Sequence, residues 1–252
     1  MRDSVRFICI GDLHGALGTL HLVTDVLSEQ EETCAAVLLT GDFATYQGGV
    51  GAAPARSEAA LRQARKTLSP LAPTVLWVPG NHDPPTLSGA GAVDGTCTEV
   101  DGVRVAGIGG GGPMSFGFPY EWTDREISDR HVFPCDILLS HTPPYGTVGD
   151  LDQSRRHIGS RAINAYAERA RARVVVCGHV HEAASVSSEP TYALINVGSL
   201  GPPWGKATFG VLEFSRDLSL LSVKRYAVGR SGTVPALIDE LTVAAGGNWP
   251  EE

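Results

Sequence analysis

Short apolar runs and helical periodicities alternate along the first half of the chain. Residues 5–10 (VRFICI), 35–40 (AAVLLT) and 74–78 (TVLWV) are apolar runs of strand length. Between them, residues 17–29 carry Leu17, Leu20, Val23 and Leu27 at helical spacing. Residues 54–68 predict a second helix that opens on Pro54, a favoured first-turn residue. Residues 97–108 predict a hairpin turning at Asp101-Gly102. Residues 136–140 and 173–177 predict two more strands, on either side of a helix near 160–171. Strands are then expected at 191–197, 207–214 and 218–226, the last two joined at Arg216-Asp217, and a final helix over 233–245.

Strands occur in both halves and no linker or internal repeat separates them, so the pattern predicts one layered α/β domain over 1–252. Two sheets with helices outside suit the mixture of βαβ units and hairpins. The Gly-rich stretches 46–54 and 107–113 lack the lysine or the dinucleotide-type unit that a phosphate cradle needs, and read as mobile loops.

Composition narrows the function classes. A length of 252 residues with 42% hydrophobic residues permits a sizeable core. The N-terminal apolar run is too short for a signal-peptide core and no later run is long enough to span a bilayer, so a soluble cytoplasmic protein without a membrane partner is expected. Cys9, Cys34, Cys97, Cys135 and Cys177 are odd in number and never form a CxxC pair, which argues against a disulfide framework or a thiolate zinc site. The net charge of −8 with dispersed arginines disfavours an extended nucleic-acid surface. Nothing in the sequence sets an oligomeric state.

Five predicted strands end in ligand-capable polar groups. GDLHG places Asp12 and His14 after the first strand, and GDF places Asp42 after the second. VPGNHDP sets Asn81, His82 and Asp83 side by side after the third. HTPP supplies His141, and GHVHE supplies His179 and His181. Open α/β sheets build sites beyond the carboxyl ends of their strands, so these ends should meet in one crevice. Five of the eight histidines lie in these runs; His21 and His131 fall outside and read as structural. With Asp12, Asp42 and Asn81 these five histidines form a ligand set that, apart from His82, holds two Asp, one Asn and four His. With one bridging carboxylate it offers four protein ligands to each of two cations, a centre able to clamp a phosphate and polarise water. Such nitrogen and oxygen ligands accept Mn, Fe, Co, Ni or Zn.

The ordered set GDLHG, GD, GNHD, H and GHVH resembles the calcineurin-like metallophosphoesterases, and HTPPYG…HIGSRA…CGHVHE is most similar to small bacterial predicted phosphoesterases. The resemblance implies a four-layer α/β sandwich of two mixed sheets flanked by helices, with a binuclear centre at the carboxyl ends of the strands. It assigns Asp12, His14, Asp42 and His181 to one metal and Asp42, Asn81, His141 and His179 to the other. It makes the protein a hydrolase of small phosphate esters, monoester or diester, in which a metal-bridging hydroxide attacks phosphorus and His82 protonates the leaving oxygen. The alternatives are a nuclease of the same fold and a metal-binding scaffold without catalysis. Some relatives carry a further Asp three residues after the bridging one, which orients the catalytic His; here that position is Thr45, and Asp83 is the candidate substitute. Between two of the motifs, RRHIGSRA places Arg156 and His157 ahead of a helix that Ser160 would cap. Arg156 and His157 are therefore candidates for the substrate side of the pocket.

Overall fold

The computed structural model describes residues 4–29, 34–44, 54–200, 206–228 and 235–244. Sheet one has the order β12-β11-β10-β1-β2-β3. It is built from β1 (Ser4–Ile10), β2 (Ala36–Leu39), β3 (Thr74–Trp77), β10 (Thr208–Ser215), β11 (Leu220–Ala227) and β12 (Ala236–Ala244). Sheet two has the order β4-β5-β6-β7-β9-β8. Its strands are β4 (Cys97–Val100), β5 (Val103–Ile108), β6 (Ile137–Ser140), β7 (Val174–Cys177), β8 (Ser185–Ser188) and β9 (Ala193–Asn196). Each sheet is mixed. β1, β2 and β3 run parallel in one, and β5, β6, β7 and β9 run parallel in the other.

Three apolar clusters turn the sheets into four layers. Phe7, Leu38 and Phe214 of sheet one meet Val105, Leu139, Val176 and Ile195 of sheet two in the central layer. The opposite face of sheet one, with Ile8, Leu39 and Trp77, is covered by α1 (Leu17–Ser28) and α2 (Pro54–Leu68). The outer face of sheet two is covered by α4 (Arg161–Ala170) through Ile163, Tyr166 and Ala167, beside the short α3 (Asp124–Ser128). The inner strands are buried on both faces, which is why β2, β6 and β7 read as unbroken apolar runs rather than alternations. The two mixed sheets flanked by helices are the architecture the sequence predicted.

The final helix is not formed; residues 236–244 are an edge strand. Ala, Leu and Glu favour a helix in isolation, but propensity is a weak prior against tertiary pairing. Antiparallel pairing sets Arg225 opposite Asp239 and Lys224 opposite Glu240. The guanidinium of Arg225 binds the Asp239 carboxylate, and Lys224 Nζ lies 3.5 Å from Glu240. Opposite charges facing each other across strands favour this register. The run 107–113 is also not a solvent loop: Gly109–Gly112 are buried, with Trp122 against Gly110 and Gly112. Of the other Gly-rich stretch, residues 46–53 lie outside the described residues, as does Thr45. Among the described residues no helix is long and apolar enough to cross a membrane. All five cysteines are free thiols, and four of them are buried.

Candidate metal centre

The carboxyl ends of β1, β2, β3, β6 and β7 open on the same edge of the sandwich and bring the sequence-predicted ligands together. Each strand is fixed by its ladder, so the first residues beyond it are held by backbone rather than by side-chain chance. His14, Asp42 and His179 all adopt positive φ, at 40°, 50° and 66°. Non-glycine residues in that region are uncommon and gather at functional sites. The glycines that precede the ligands have a steric cause. A Cβ on Gly80 would stand 2.1 Å from Asp42 Oδ1, and one on Gly178 would stand 2.3 Å from Asp12 Oδ1.

Asp12 is fully buried and organises the first cluster. Its Oδ1 accepts from the Thr40 hydroxyl at 3.1 Å, and its Oδ2 accepts from the His179 backbone N–H at 2.9 Å. His181 Nε2 lies 2.7 Å from the same Oδ2, and His14 Nε2 lies 3.4 Å from His181 Nε2. Burial alone pushes the Asp12 carboxyl up, yet the rings of His141, His181 and His14 outweigh it and hold the group below the usual carboxylate range. Burial pushes His181 down, and its hydrogen bond to Asp12 together with the charges of Asp12, Asp42 and Glu182 more than reverses that. Asp12, His14 and His181 could hold a cation, which would then take the place of the proton between His181 and Asp12.

Asn81 organises the second cluster. His141 Nδ1 donates to the Thr40 carbonyl at 2.7 Å, which turns Nε2 toward the second cluster. That Nε2 lies 2.8 Å from Asn81 Oδ1, and His179 Nδ1 lies 3.0 Å from the same oxygen. Burial and the neighbouring His141 ring depress His179 to about 3, so its imidazole is neutral. Two imidazole nitrogens thus converge on one amide oxygen at hydrogen-bond distance. The donor set therefore fits a metal of borderline softness.

Asp42 stands between the clusters. Its Oδ1 accepts from the His82 backbone N–H at 2.9 Å. Its Oδ2 faces His14 Nε2 at 3.7 Å, His141 Nε2 at 3.6 Å and His82 Nε2 at 3.9 Å. One oxygen thus looks toward both clusters while the other is held by backbone. The His82 ring is half-buried and packs on Phe118 at 4.2 Å between centroids. Burial lowers its pKa, with the attraction of Asp42 opposing and the rings of His14 and His141 adding to the fall.

Asp83 does not sit where the sequence reading suggested. Its carboxylate accepts from the backbone N–H of Gly80 at 3.0 Å and of Phe43 at 3.3 Å, and so ties the GNHD turn to the GDF turn. Burial, with the nearby Asp42 charge, raises its pKa to about 7. Arg156 holds Asp152 through Nε and Nη2 at 2.9 and 2.7 Å, and His157 Nδ1 lies 2.6 Å from Asp150 Oδ1. Ser160 caps α4 as expected, accepting from Ile163 N–H at 3.1 Å. The first turn of α4 also meets a carboxylate of this chain: Asp124 Oδ1 accepts from Ser160 Oγ at 2.5 Å and Ala162 N–H at 3.3 Å.

Two contributors escaped the sequence reading. Thr40 serves both clusters at once, and its only signal was a polar residue closing an apolar strand. Phe118 is brought to His82 by the fold of 109–122, which no local pattern announces. Tyr120 N–H donates to the Asn81 carbonyl at 3.2 Å, and Gly110 N–H donates to the Pro79 carbonyl at 2.9 Å. Asp94, Tyr120 and Arg130 lock that segment through bonds of 2.5 to 3.0 Å.

The family model of the calcineurin-like phosphoesterases matches residues 5–183, which takes in every one of these motifs. The chain belongs to that family. An uncharacterized protein of Methanocaldococcus jannaschii is 29% identical over 136 residues, 48% of this chain and 62% of that relative. The match thus spans less than two thirds of the relative's length. Among solved structures, the protein TT1561 of Thermus thermophilus has a TM-score of 0.57 at 17% identity, covering 87% of this chain and 98% of that one. A conserved uncharacterized protein of Streptococcus pneumoniae, a predicted phosphoesterase, has a TM-score of 0.53 at 16% identity and covers 97% and 100%. GAP50, the anchor in the inner membrane complex of Plasmodium, has a TM-score of 0.54 at 15% identity and covers 96% and 89%. These likenesses concern the fold. A fold that includes an anchor leaves function to be argued from the site.

Proposed function

We propose that this protein hydrolyses a small phosphate ester with two transition-metal ions, Mn, Fe, Co, Ni or Zn, held on either side of Asp42. The observation that carries the reading is Asp42 Oδ2, which faces a ring nitrogen from each cluster and that of His82, all within 3.9 Å. Asp12, His14, Asp42 and His181 would hold one ion, and Asp42, Asn81, His141 and His179 the other. Such ions supply positive charge against the phosphate oxygens and make a nucleophile of water at neutral pH. The residues of the chain do the remainder. Thr40 and the His82 backbone N–H aim Asp12 and Asp42 at the centre. Thr40 also orients the His141 ring. His82 stands beside the ligands and donates its proton to the departing oxygen. Its lowered pKa favours the neutral ring, and a bound phosphate anion acts in the opposite direction. The ring therefore holds its proton best when substrate is present.

A panel of phosphate mono- and diesters, assayed with apo-protein reloaded with single metals, tests this reading. Metal-dependent release of phosphate or alcohol is expected, and metal binding without turnover on any ester would leave the scaffold instead. The helix start of α4 is met by Asp124, so a substrate-side role falls to His157 and Arg156. On the same panel, His157→Ala is expected to raise KM or change the preference among esters with both metals retained. Unchanged kinetics throughout would leave Arg156 and His157 as structural partners of Asp152 and Asp150.

A further inference from the structure

A row of aromatic rings leads from the metal centre to solvent. His14 lies 5.6 Å from His82, His82 lies 4.2 Å from Phe118, and Phe118 lies 6.2 Å from Phe116, between centroids. His14, His82 and Phe118 are half-buried, whereas Phe116 at the end of the row is 65% exposed, with Met114 two residues away at 49%. Exposing a Phe to water is unfavourable, and here the loop is built to do so. The Glu121 carboxylate accepts from Ser115 Oγ and Phe116 N–H, both at 2.7 Å, and from Gly117 N–H at 2.9 Å. Those bonds hold its pKa below the usual carboxylate range, against the opposing effect of burial. From Met114 to Pro119 the loop carries no charged side chain.

We propose that Phe116 and Phe118 form a stacking platform for the leaving group, and that the substrate is a phosphate ester whose alcohol carries a flat aromatic ring. The inference rests on the phosphoesterase reading above. His82 would protonate the bridging oxygen, so whatever is attached to that oxygen departs past the ring that packs on His82. Aromatic faces pair best with flat rings in offset or edge-to-face geometry, with a gain of about two- to tenfold in affinity per pair.

The test is binding rather than turnover, so that it stands apart from catalysis. Manganese-loaded protein is titrated calorimetrically with cyclohexylmethylphosphonate and naphthylmethylphosphonate, in which a CH2 replaces the ester oxygen, and with methylphosphonate, which lacks the leaving group. The naphthyl compound is expected to bind about tenfold tighter than the methyl compound, and the cyclohexyl compound to gain less. Phe116→Ala should erase the naphthyl advantage and leave methylphosphonate unchanged, and Phe116→Trp should keep it. Equal affinity for all three in the native protein would overturn the platform, as would an advantage that survives Phe116→Ala. A change in assembly mass on Phe116→Ala with no change in affinity would also overturn it, assigning the loop to a second copy of the chain. Ring-dependent binding without hydrolysis of any ester would support the platform and remove only the catalytic reading. Failure of every phosphonate to bind would remove both.

Discussion

Asp42→Asn is expected to abolish hydrolysis and release both metals. The asparagine can keep its side-chain oxygen on the His82 N–H, because Oδ1 alone makes that bond, at 2.9 Å. The fold therefore persists. What is lost is the second oxygen and the negative charge that two cations share. Replacing even an outer-shell partner of a metal ligand typically costs about 10- to 100-fold, so removing the bridge should cost more than about 100-fold in activity. Elemental analysis of the purified variant checks the metals, and two tightly bound ions in Asp42→Asn would count against the bridging role.

His82→Ala is expected to keep its metals and lose about 10²–10⁴ in rate, the usual worth of a positioned general acid. The variant isolates the ring, since alanine retains the backbone N–H that holds Asp42 Oδ1. The loss should shrink for nitrophenyl esters, whose leaving groups need little protonation. An equal loss for nitrophenyl and alkyl esters would remove His82 from the acid role and leave it as packing for Phe118.

The site was legible because its chemistry is local in sequence. A buried parallel strand is an apolar run, and the residue just past it must leave the ladder. A glycine followed by Asp, Asn or His at that point therefore stands out against its surroundings. Gly80 and Gly178 now have a steric reason, since a Cβ on either would collide with Asp42 or Asp12. Long-range relations were not legible. Nothing near His82 forecasts Phe118, and nothing in RRHIGSRA forecasts that Asp124 would fill the start of α4. Residues 236–244 were misread because Ala, Leu and Glu favour a helix locally, while the deciding pairs with Lys224 and Arg225 come from another strand. The role offered to Asp83 failed for a related reason. Adjacency to His82 suggested a partner for its ring, but the carboxylate turns to the N–H groups of Gly80 and Phe43.

Anomalous diffraction from crystals of the manganese-loaded protein tests the central claim most directly. The account predicts two anomalous peaks, one among Asp12, His14 and His181, the other among Asn81, His141 and His179, with Asp42 Oδ2 between them. A single peak, or none within coordination distance of Asp42, would contradict it.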